Sequence, residues 1–341
     1  MKDKFNVDVI LPFHQENELL HEAINSIAKS TNVRVKLILV DSRPMNLQGQ
    51  KVRIPSELNF IHIVAGQKRN YPNAINAGLE NLKSEFFALM NSDDLVHPER
   101  LYRQIMQLTG DRADICVCKM QKFTGKSSRN VIPTLAGNIR YNSFSYVNLF
   151  IGAYGADATL LGRSDVIKKH QLKFPLVEHA DWFFALANYK DLKVSVLNFT
   201  GYFYRMHGNQ ITRSEKYKKP NKNLILVIQQ NLLSYGFNRY PMKILQAIAM
   251  PNTKPKLSTK DLKTLRKLCL EFLEYSISKE QKREINNLVI RRYIFASFFN
   301  SKISIIHPRY LVSTIRIFFV LLFEYLLARK RQRLGTKSLD K

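Results

Sequence analysis

Polar and acidic residues directly follow a short apolar run in the N-terminal half of the chain. Residues 86–90 are all apolar, and Asn91, Ser92, Asp93 and Asp94 come immediately after them. An apolar run of this length predicts a buried strand, and ligands of open α/β sheets bind at the carboxyl ends of such strands. Two adjacent carboxylates there suit a hard divalent cation and, through it, a diphosphate. A polar turn that leads into the next helix is the alternative interpretation.

Apolar runs and helical periodicity alternate around this acidic turn. Strands and helices are predicted, in chain order, at residues 7–12, 18–28, 35–40, 59–64, 73–82 and 86–90. The order strand, helix, strand, strand, helix, strand indicates βαβ units, and therefore a mostly parallel sheet with helices on both faces. We expect an α/β domain at residues 1–213 and a basic helical region at residues 214–341.

The positive charge is concentrated in the last third of the chain. The whole sequence has a net charge of +26, and residues 213–341 carry 27 Lys and Arg against 8 Asp and Glu, a net of +19. Basic surfaces attract anionic lipids, acidic glycans or nucleic acid. Since no zinc-finger, RNP or basic-zipper pattern is present, no nucleic-acid partner is expected.

The most apolar segment of this basic region lies near its end. Within residues 310–333, the longest uncharged run is 317–323, which is far shorter than the roughly 20 residues that a membrane span needs. Residues 309–333 are interpreted either as an amphipathic helix on an anionic membrane surface or as a core or dimer helix, and both interpretations stay open.

Cysteine usage and the N-terminus indicate the compartment. The three cysteines follow no zinc or disulfide spacing, and the first residues lack the apolar segment of a secretory signal. We expect a cytoplasmic protein that associates peripherally with the inner face of the cytoplasmic membrane. The absence of the G-x-x-x-x-G-K-[ST] and H-E-x-x-H motifs argues against a P-loop kinase and a zincin.

Six short motifs occur in a fixed order over about 200 residues. They are I-L-P-F-H-Q-E at 10–16, V-D-S-R-P at 40–44, A-I-N-A-G at 74–78, N-S-D-D at 91–94, A-D-W at 180–182 and Y-R-M-H at 204–207. With these motifs, residues 7–212 resemble the family 2 glycosyltransferases. The resemblance implies the GT-A fold, which is Rossmann-like, and inverting transfer of a sugar from a nucleotide-diphosphate sugar.

The resemblance also implies roles for individual residues. Asp181 is the expected general base, which takes the proton of the acceptor hydroxyl, and Glu178 is its nearest rival. A divalent metal, Mn²⁺ or Mg²⁺, is expected at Asp93, Asp94 and His207. Contacts to the nucleotide-sugar donor are expected at Pro12, Phe13, Asp41, Lys68, Arg69, Asn76, Asp93 and Arg205.

Three positions depart from the family pattern, because Ser42, Asn91 and Ala180 stand where the family usually has acidic residues. The expected protein is a metal-dependent enzyme of the hexosyltransferase type, acting on a UDP-sugar. Its acceptor would be a glycan or glycolipid hydroxyl in surface polysaccharide, lipooligosaccharide or capsule synthesis. The alternative is a catalytically degenerate GT-A domain that serves as a binding protein through its basic C-terminal region, where homo-oligomerisation would also take place.

Overall fold

The protein is described here by a computed structural model, in which the chain divides into two compact units, residues 1–237 and 238–341. The structure describes residues 4–65, 70–125, 131–132, 157–176, 180, 184, 188, 192–208, 239–249 and 256–274. The predicted domain boundary between residues 213 and 214 lies outside these ranges.

The described part of the first unit is built on one nine-stranded sheet with flanking helices. Its elements are, in chain order, β1 (Phe5–Phe13), α1 (Glu18–Ala28), β2 (Val33–Asp41), β3 (Asn59–Val64), α2 (Tyr71–Glu80), β4 (Phe86–Leu89), β5 (Leu95–Val96), α3 (Arg100–Gly110), β6 (Ile115–Phe123), β7 (Val131–Ile132), β8 (Leu160–Arg163), α4 (Ser164–Lys169) and β9 (Val194–Arg205). A 3₁₀ turn at Asp157–Thr159 leads into β8.

The strands are ordered β3-β2-β1-β4-β8-β6-β9-β5, and β7 pairs with β6. The first four are parallel, whereas β8 is antiparallel to both β4 and β6. The predicted α/β class is therefore confirmed. The longer strand pairings are parallel, as predicted, whereas β8, which lies between β4 and β6, and the short strands β5 and β7 are antiparallel to their neighbours and make the sheet mixed.

This topology brings the ends of distant strands to one edge of the sheet. Because β8 is antiparallel to both neighbours, β6 runs in the same direction as β4, and β9 is parallel to β6. The carboxyl ends of β1, β2, β4, β6 and β9 therefore share an edge. The strand order reverses between β1 and β4, which is the position where ligands bind in doubly wound sheets.

The backbone of helix α2 comes into direct contact with a side chain of β1 at Gly78. A Cβ atom added at Gly78 would lie 2.4 Å from Cγ2 of Ile10, which is buried. No side chain fits in that space, so a residue other than glycine would push the helix away from the sheet. The close approach fixes the last turn of α2 against β1.

A buried cation supports the sheet where β4, β8 and β9 meet. Arg100, at the start of α3, is 1% exposed, and its Nη2 donates to the carbonyls of Leu89 (3.3 Å), Ala158 (2.7 Å) and Leu160 (3.4 Å). Its Nε donates to Gln104, and the guanidinium carbon lies 5.1 Å from the ring centroid of Tyr202. These contacts join three strands under the acidic turn.

The described part of the second unit contains two helices, α5 (Met242–Ala249) and α6 (Thr259–Glu274). A reciprocal cap begins α6, since Ser258 N and Oγ donate to Asp261 Oδ2 and Asp261 N donates to Ser258 Oγ. Lys243 of α5 forms an ion pair with Asp261 at 2.7 Å.

Residues 309–333, which are interpreted either as an amphipathic membrane-surface helix or as a core or dimer helix, lie outside the described residues. Within the described ranges, no helix is both long enough and apolar enough to cross a bilayer.

Candidate active site

The acidic turn that follows β4 contacts the end of β9. His207 Nε2 lies 3.0 Å from Asp93 Oδ2, and the two side chains are 25% and 32% exposed. Asp93 follows β4, beside which strand order reverses, and His207 follows β9 at the same carboxyl edge of the sheet. An imidazole and a carboxylate from segments 114 residues apart therefore meet on the open side of this turn.

Asp94 faces the opposite way and is fully buried. Its Oδ2 accepts hydrogen bonds from Tyr202 Oη (2.6 Å) and Asn91 Nδ2 (3.2 Å), and its Oδ1 accepts from the backbone N–H of Arg205 (2.7 Å). Burial, together with the neighbouring Asp93 carboxylate, raises the pKa of Asp94 to about 7. In this arrangement Asp94 ties the turn to β9, and its predicted metal ligation stays a prediction.

The contacts of Asn91 explain why an amide suits this position, where the family usually has an acid. Its amide donates to Asp94, and its Oδ1 lies 3.4 Å from the hydroxyl of Tyr71. An aspartate at 91 would place a further carboxylate against the buried Asp94, where like charges repel strongly. The amide satisfies Asp94 instead.

Arg205 is committed to contacts within the protein. Its Nη2 donates to Glu22 Oε2 at 2.6 Å, its Nε donates to the backbone carbonyl of Asp93 at 2.7 Å, and its Nη1 donates to the carbonyl of Gly125. The guanidinium also stacks 4.7 Å from the Phe123 ring centroid. These contacts hold the acidic turn in place, and the predicted donor contact of Arg205 stays a prediction.

Glu22 is a supporting residue that the sequence analysis misses. It lies on α1, and its side chain is 22% exposed where it meets Arg205. Nothing in the sequence distinguishes it from an ordinary surface acid of an amphipathic helix, because its partner is 183 residues away.

The carboxyl end of β2 carries a second buried ion pair. Asp41 is 0% exposed, and its carboxylate accepts hydrogen bonds from Arg43 Nε and Nη2, while His62 Nε2 lies 3.1 Å from Oδ2. The Arg43 guanidinium lies 5.0 Å from the ring centroid of Phe13, the last residue of β1. Pro12 and Phe13 thus border the predicted donor region, but both are buried.

Opposing effects act on the pKa of Asp41. Burial raises this pKa, but hydrogen bonds from Arg43, from the backbone N–H of Gly49 and from His62 together outweigh burial and lower it. A carboxylate whose pKa is lower in the folded than in the unfolded state stabilises the fold above its unfolded pKa, and this stabilisation disappears as the pH falls through the folded pKa.

We therefore expect Asp41→Asn to lower the free energy of unfolding by about 2 kcal/mol at neutral pH, because Arg43 loses its buried partner. The difference between the two proteins should be largest above about pH 5 and should shrink as the pH falls below about 4, because Asp41 then takes up a proton in the unfolded chain while the folded carboxylate is still ionised. Urea denaturation at a series of pH values measures this difference. A constant difference down to pH 3 would contradict the assignment.

Asn76 has a structural partner. Its Nδ2 donates to the backbone carbonyl of Phe174 and its Oδ1 accepts from the backbone N–H of the same residue, both at 2.8 Å. The amide thereby fixes the segment after α4 against α2. The predicted contact of Asn76 with the donor stays a prediction. In the structure its side chain holds the backbone of Phe174.

Asp157 and Tyr71 form a further polar contact at the same edge. The Tyr71 hydroxyl donates to Asp157 Oδ2 at 2.5 Å, and Asp157 Oδ1 accepts from the backbone N–H of Ala158 at 2.7 Å. Together with the contact between Tyr71 and Asn91, this pair extends the polar side chains from the acidic turn to the start of β8. The sequence pattern around Asp157 did not single it out.

Several predicted site residues lie outside the described residues. They are Lys68 and Arg69 of the loop before α2, and Asp181 with its rival Glu178. Ala180, the neighbour of Asp181, is described and is buried, so a glutamate there would bring a carboxylate into an apolar environment.

The donor atoms present on the open side of the turn fit a divalent cation bound together with a diphosphate. In the described part of the chain, no three His, Cys, Asp or Glu side chains form a cluster that could hold a metal alone. Asp93 and His207 supply one carboxylate and one imidazole. Mg²⁺ and similar ions commonly use one or two carboxylates and complete their coordination with substrate phosphates and water.

Comparison with known proteins agrees with this geometry. The profile of the family described as Glycosyl transferase family 2 matches residues 8–170. EpsH of Bacillus subtilis (strain 168), whose name assigns it to the glycosyltransferases, is 25% identical over 230 residues, which cover 62% of this chain and 64% of EpsH. An uncharacterized glycosyltransferase of Haemophilus influenzae is 22% identical over 266 residues, covering 72% of this chain and 79% of that protein. The match thus spans less than two thirds of the length of EpsH.

Among solved structures, the chain is similar to S. aureus TarS in complex with UDP-GlcNAc. The TM-score is 0.52 at 15% sequence identity, and the alignment covers 88% of this chain and 84% of the TarS chain. At this identity the likeness shows the shared GT-A fold. The family match over residues 8–170, the glycosyltransferase relatives and this fold together support a family 2 glycosyltransferase.

Proposed function

We propose that the protein is a metal-dependent, inverting glycosyltransferase that moves a sugar from a UDP-sugar to a hydroxyl group of a glycan or glycolipid. The single observation that carries this proposal is the contact between Asp93 and His207 at the carboxyl edge of the sheet, where strand order reverses. Both groups are partly exposed there, whereas the acids around them are committed to protein contacts.

Asp93 and His207 would hold a divalent cation, and Asp94 and Arg205 would keep these two ligands in place. When bound, the cation supplies positive charge that offsets the charge developing on the departing diphosphate. Arg205 fixes the backbone of Asp93 through its carbonyl, and the backbone N–H of Arg205 fixes Asp94. The side chains of the acidic turn would thus already be in position before the donor binds.

The transfer itself is a single displacement at the anomeric carbon. The acceptor oxygen forms a bond to that carbon while the bond to the diphosphate oxygen breaks, and the acceptor proton moves to a carboxylate. We assign this general-base role to Asp181 by its match to the family motif. A base of this kind contributes about 10²–10⁴-fold to the rate.

The uridine donor and the acceptor class are parts of the same proposal. S. aureus TarS, which shares the fold, was solved with UDP-GlcNAc and with UDP. For the acceptor we propose a membrane-bound glycan or glycolipid of surface polysaccharide, lipooligosaccharide or capsule synthesis. The strongly basic residues 213–341 would bring the enzyme to an anionic cytoplasmic membrane surface.

Hydrolysis of the donor tests the proposal without knowledge of the acceptor, because water can slowly replace the acceptor hydroxyl as the attacking group. UDP-glucose, UDP-galactose, UDP-GlcNAc and GDP-mannose would each be incubated with the full chain in Mn²⁺, Mg²⁺ or EDTA. We expect turnover of a UDP-sugar that EDTA abolishes, and a loss of about 100-fold or more in Asp181→Asn.

Glu178→Gln is the matched control, since it neutralises the other acid of the same segment and should retain most of the turnover. Turnover that persists in EDTA would refute the metal dependence. If the chain neither hydrolyses nor binds any of the four nucleotide sugars, the alternative of a degenerate GT-A domain with a binding function would replace this proposal.

A further inference from the structure

The guanidinium of Arg205 lies between the acidic turn and helix α1. The side chain is 3% exposed, its Nε donates to the backbone carbonyl of Asp93 at 2.7 Å, and its Nη2 donates to Glu22 Oε2 at 2.6 Å. A guanidinium is planar, and its N–H groups point in fixed directions. The position of the Glu22 carboxylate therefore determines how Arg205 meets the main chain of a proposed metal ligand.

Helix α1 is also attached to the segment that follows the acidic turn. Ser26 Oγ accepts a hydrogen bond from the backbone N–H of Val96 at 3.2 Å. The backbone N–H of Thr31, just after the end of α1, donates to the carbonyl of Pro98 at 2.9 Å. Since the apolar side of α1 is buried as well, the helix is a firm support from which Glu22 reaches the turn.

The charge of Glu22 matters as well as its position. Arg205 brings a positive charge next to the backbone of Asp93, and a positive charge beside a cation site opposes the binding of a divalent cation. Glu22 forms an ion pair with this guanidinium where little water can screen it. Removal of Glu22 would leave a buried guanidinium without this carboxylate, and the guanidinium would then be attracted to the carboxylates of the turn.

Glu22 acts from outside the pair of proposed metal ligands. The Asp93 carboxylate meets His207 on the open side of the turn, whereas Arg205 binds the backbone carbonyl of Asp93. The Glu22 carboxylate contacts Arg205, so its effect on a cation passes through that guanidinium. Glu22 is in this sense a positioning residue.

We propose that Glu22 sets the affinity of the acidic turn for a divalent cation, because it holds the guanidinium of Arg205 against Asp93 and neutralises its charge. This inference rests on the proposed function, in which Asp93 and His207 bind that cation. It adds a residue of α1 that controls the cation without touching it.

Direct titration of the full chain with Mn²⁺ tests the proposal, with free Mn²⁺ followed by electron paramagnetic resonance in the absence and in the presence of UDP. Glu22→Gln keeps an oxygen that can accept from Arg205 but loses the charge, and we expect it to bind Mn²⁺ about threefold more weakly. Glu22→Ala loses both the charge and the hydrogen bond, and we expect a loss of about tenfold.

The rate of donor hydrolysis gives a second measurement on the same variants. The Mn²⁺ concentration that gives half of the maximal rate should rise by the same factors. The rate at saturating Mn²⁺ should stay within about twofold of that of the natural protein, because the cation, once bound, still has Asp93 and His207 as its ligands.

Glu18→Gln is the matched control, since it removes the same charge from an exposed position in the first turn of α1. It should bind Mn²⁺ within about twofold of the natural protein. The Tm of each variant is measured alongside. A purely structural role for Glu22 predicts a lower Tm and, at a temperature where the protein is folded, an unchanged affinity for Mn²⁺.

Each outcome decides between the alternatives. Unchanged Mn²⁺ affinity in folded Glu22→Ala would overturn the assignment of Glu22 and leave the glycosyltransferase proposal intact. Equal losses in Glu18→Gln and Glu22→Gln would also overturn it, because the charge of the helix rather than the ion pair with Arg205 would then be responsible. If the natural protein binds no Mn²⁺ with or without UDP, the metal dependence of the proposed function fails and this inference fails with it.

Discussion

Asp93→Asn is expected to lower the rate of donor hydrolysis about 100-fold or more, with little change in Tm. Its carboxylate is partly exposed and meets His207 on the open side of the acidic turn. Removing one of the two proposed protein ligands weakens binding of the cation that offsets charge on the diphosphate. Stabilisation of this transition-state charge by a cation is worth several kcal/mol. Steady-state rates measured over a range of Mn²⁺ concentrations would also show a higher metal requirement.

Two comparison variants separate this role from a structural one. Asp165→Asn makes the same change at an exposed position of α4 and should leave both rate and Tm unchanged. Asp94→Asn should lower Tm, because the amide keeps only one acceptor oxygen and turns its N–H groups toward either the Tyr202 hydroxyl or the backbone N–H of Arg205. If Asp93→Asn keeps more than a tenth of the rate while Asp94→Asn loses all of it at unchanged Tm, the direct ligand is Asp94 and our assignment of the turn is reversed.

Arg100→Ala is expected to lower the free energy of unfolding by about 3–5 kcal/mol. The change leaves the carbonyls of Leu89, Ala158 and Leu160 and the side chain of Gln104 without the donor that they share. It also opens a cavity beneath the acidic turn, and both effects belong to the most destabilising classes of substitution. Urea denaturation of the full chain, followed by a signal from the first unit, measures the loss.

Arg103→Ala is the control within the same helix. Its side chain is 47% exposed, and its ion pair with Glu99 spans one helical turn on the surface. Exposed pairs of this kind contribute about 0–1 kcal/mol. Equal losses in the two variants, or a loss below about 1 kcal/mol for Arg100→Ala, would show that the buried guanidinium does not hold the three strands together.

The framework of the site follows from local sequence patterns. The apolar run at residues 86–90 is β4 and its next residue, and the polar turn after it lies at the carboxyl edge as predicted. The glycine of the A-I-N-A-G motif has a visible cause in the contact between α2 and β1. These features are predictable because periodicity and turn chemistry depend on neighbours in the sequence.

The internal partners of the charged residues do not follow from the sequence. Arg205 resembles a phosphate contact within its motif, and Arg100 resembles an exposed residue at the start of a helix. Their roles depend on Glu22 and on the carbonyls of β4 and β8, which only the completed sheet brings near. The hydrogen bonds that Asp41 accepts depend likewise on how the loop after it folds back. Such pairings are set by tertiary packing rather than by pattern.

The joining of the acidic turn to the end of β9 has a consequence for protein synthesis. The hydrogen bond from the backbone N–H of Arg205 to the Asp94 carboxylate links residues 111 positions apart. At about 5–20 residues per second, a ribosome needs roughly 5–20 s to make the chain between them. During that interval the strands already made include Asp94, whose hydrogen-bond partners on β9 have not yet been synthesised. Ribosome-bound chains that end before residue 205 should therefore stay bound to chaperones and should bind no nucleotide.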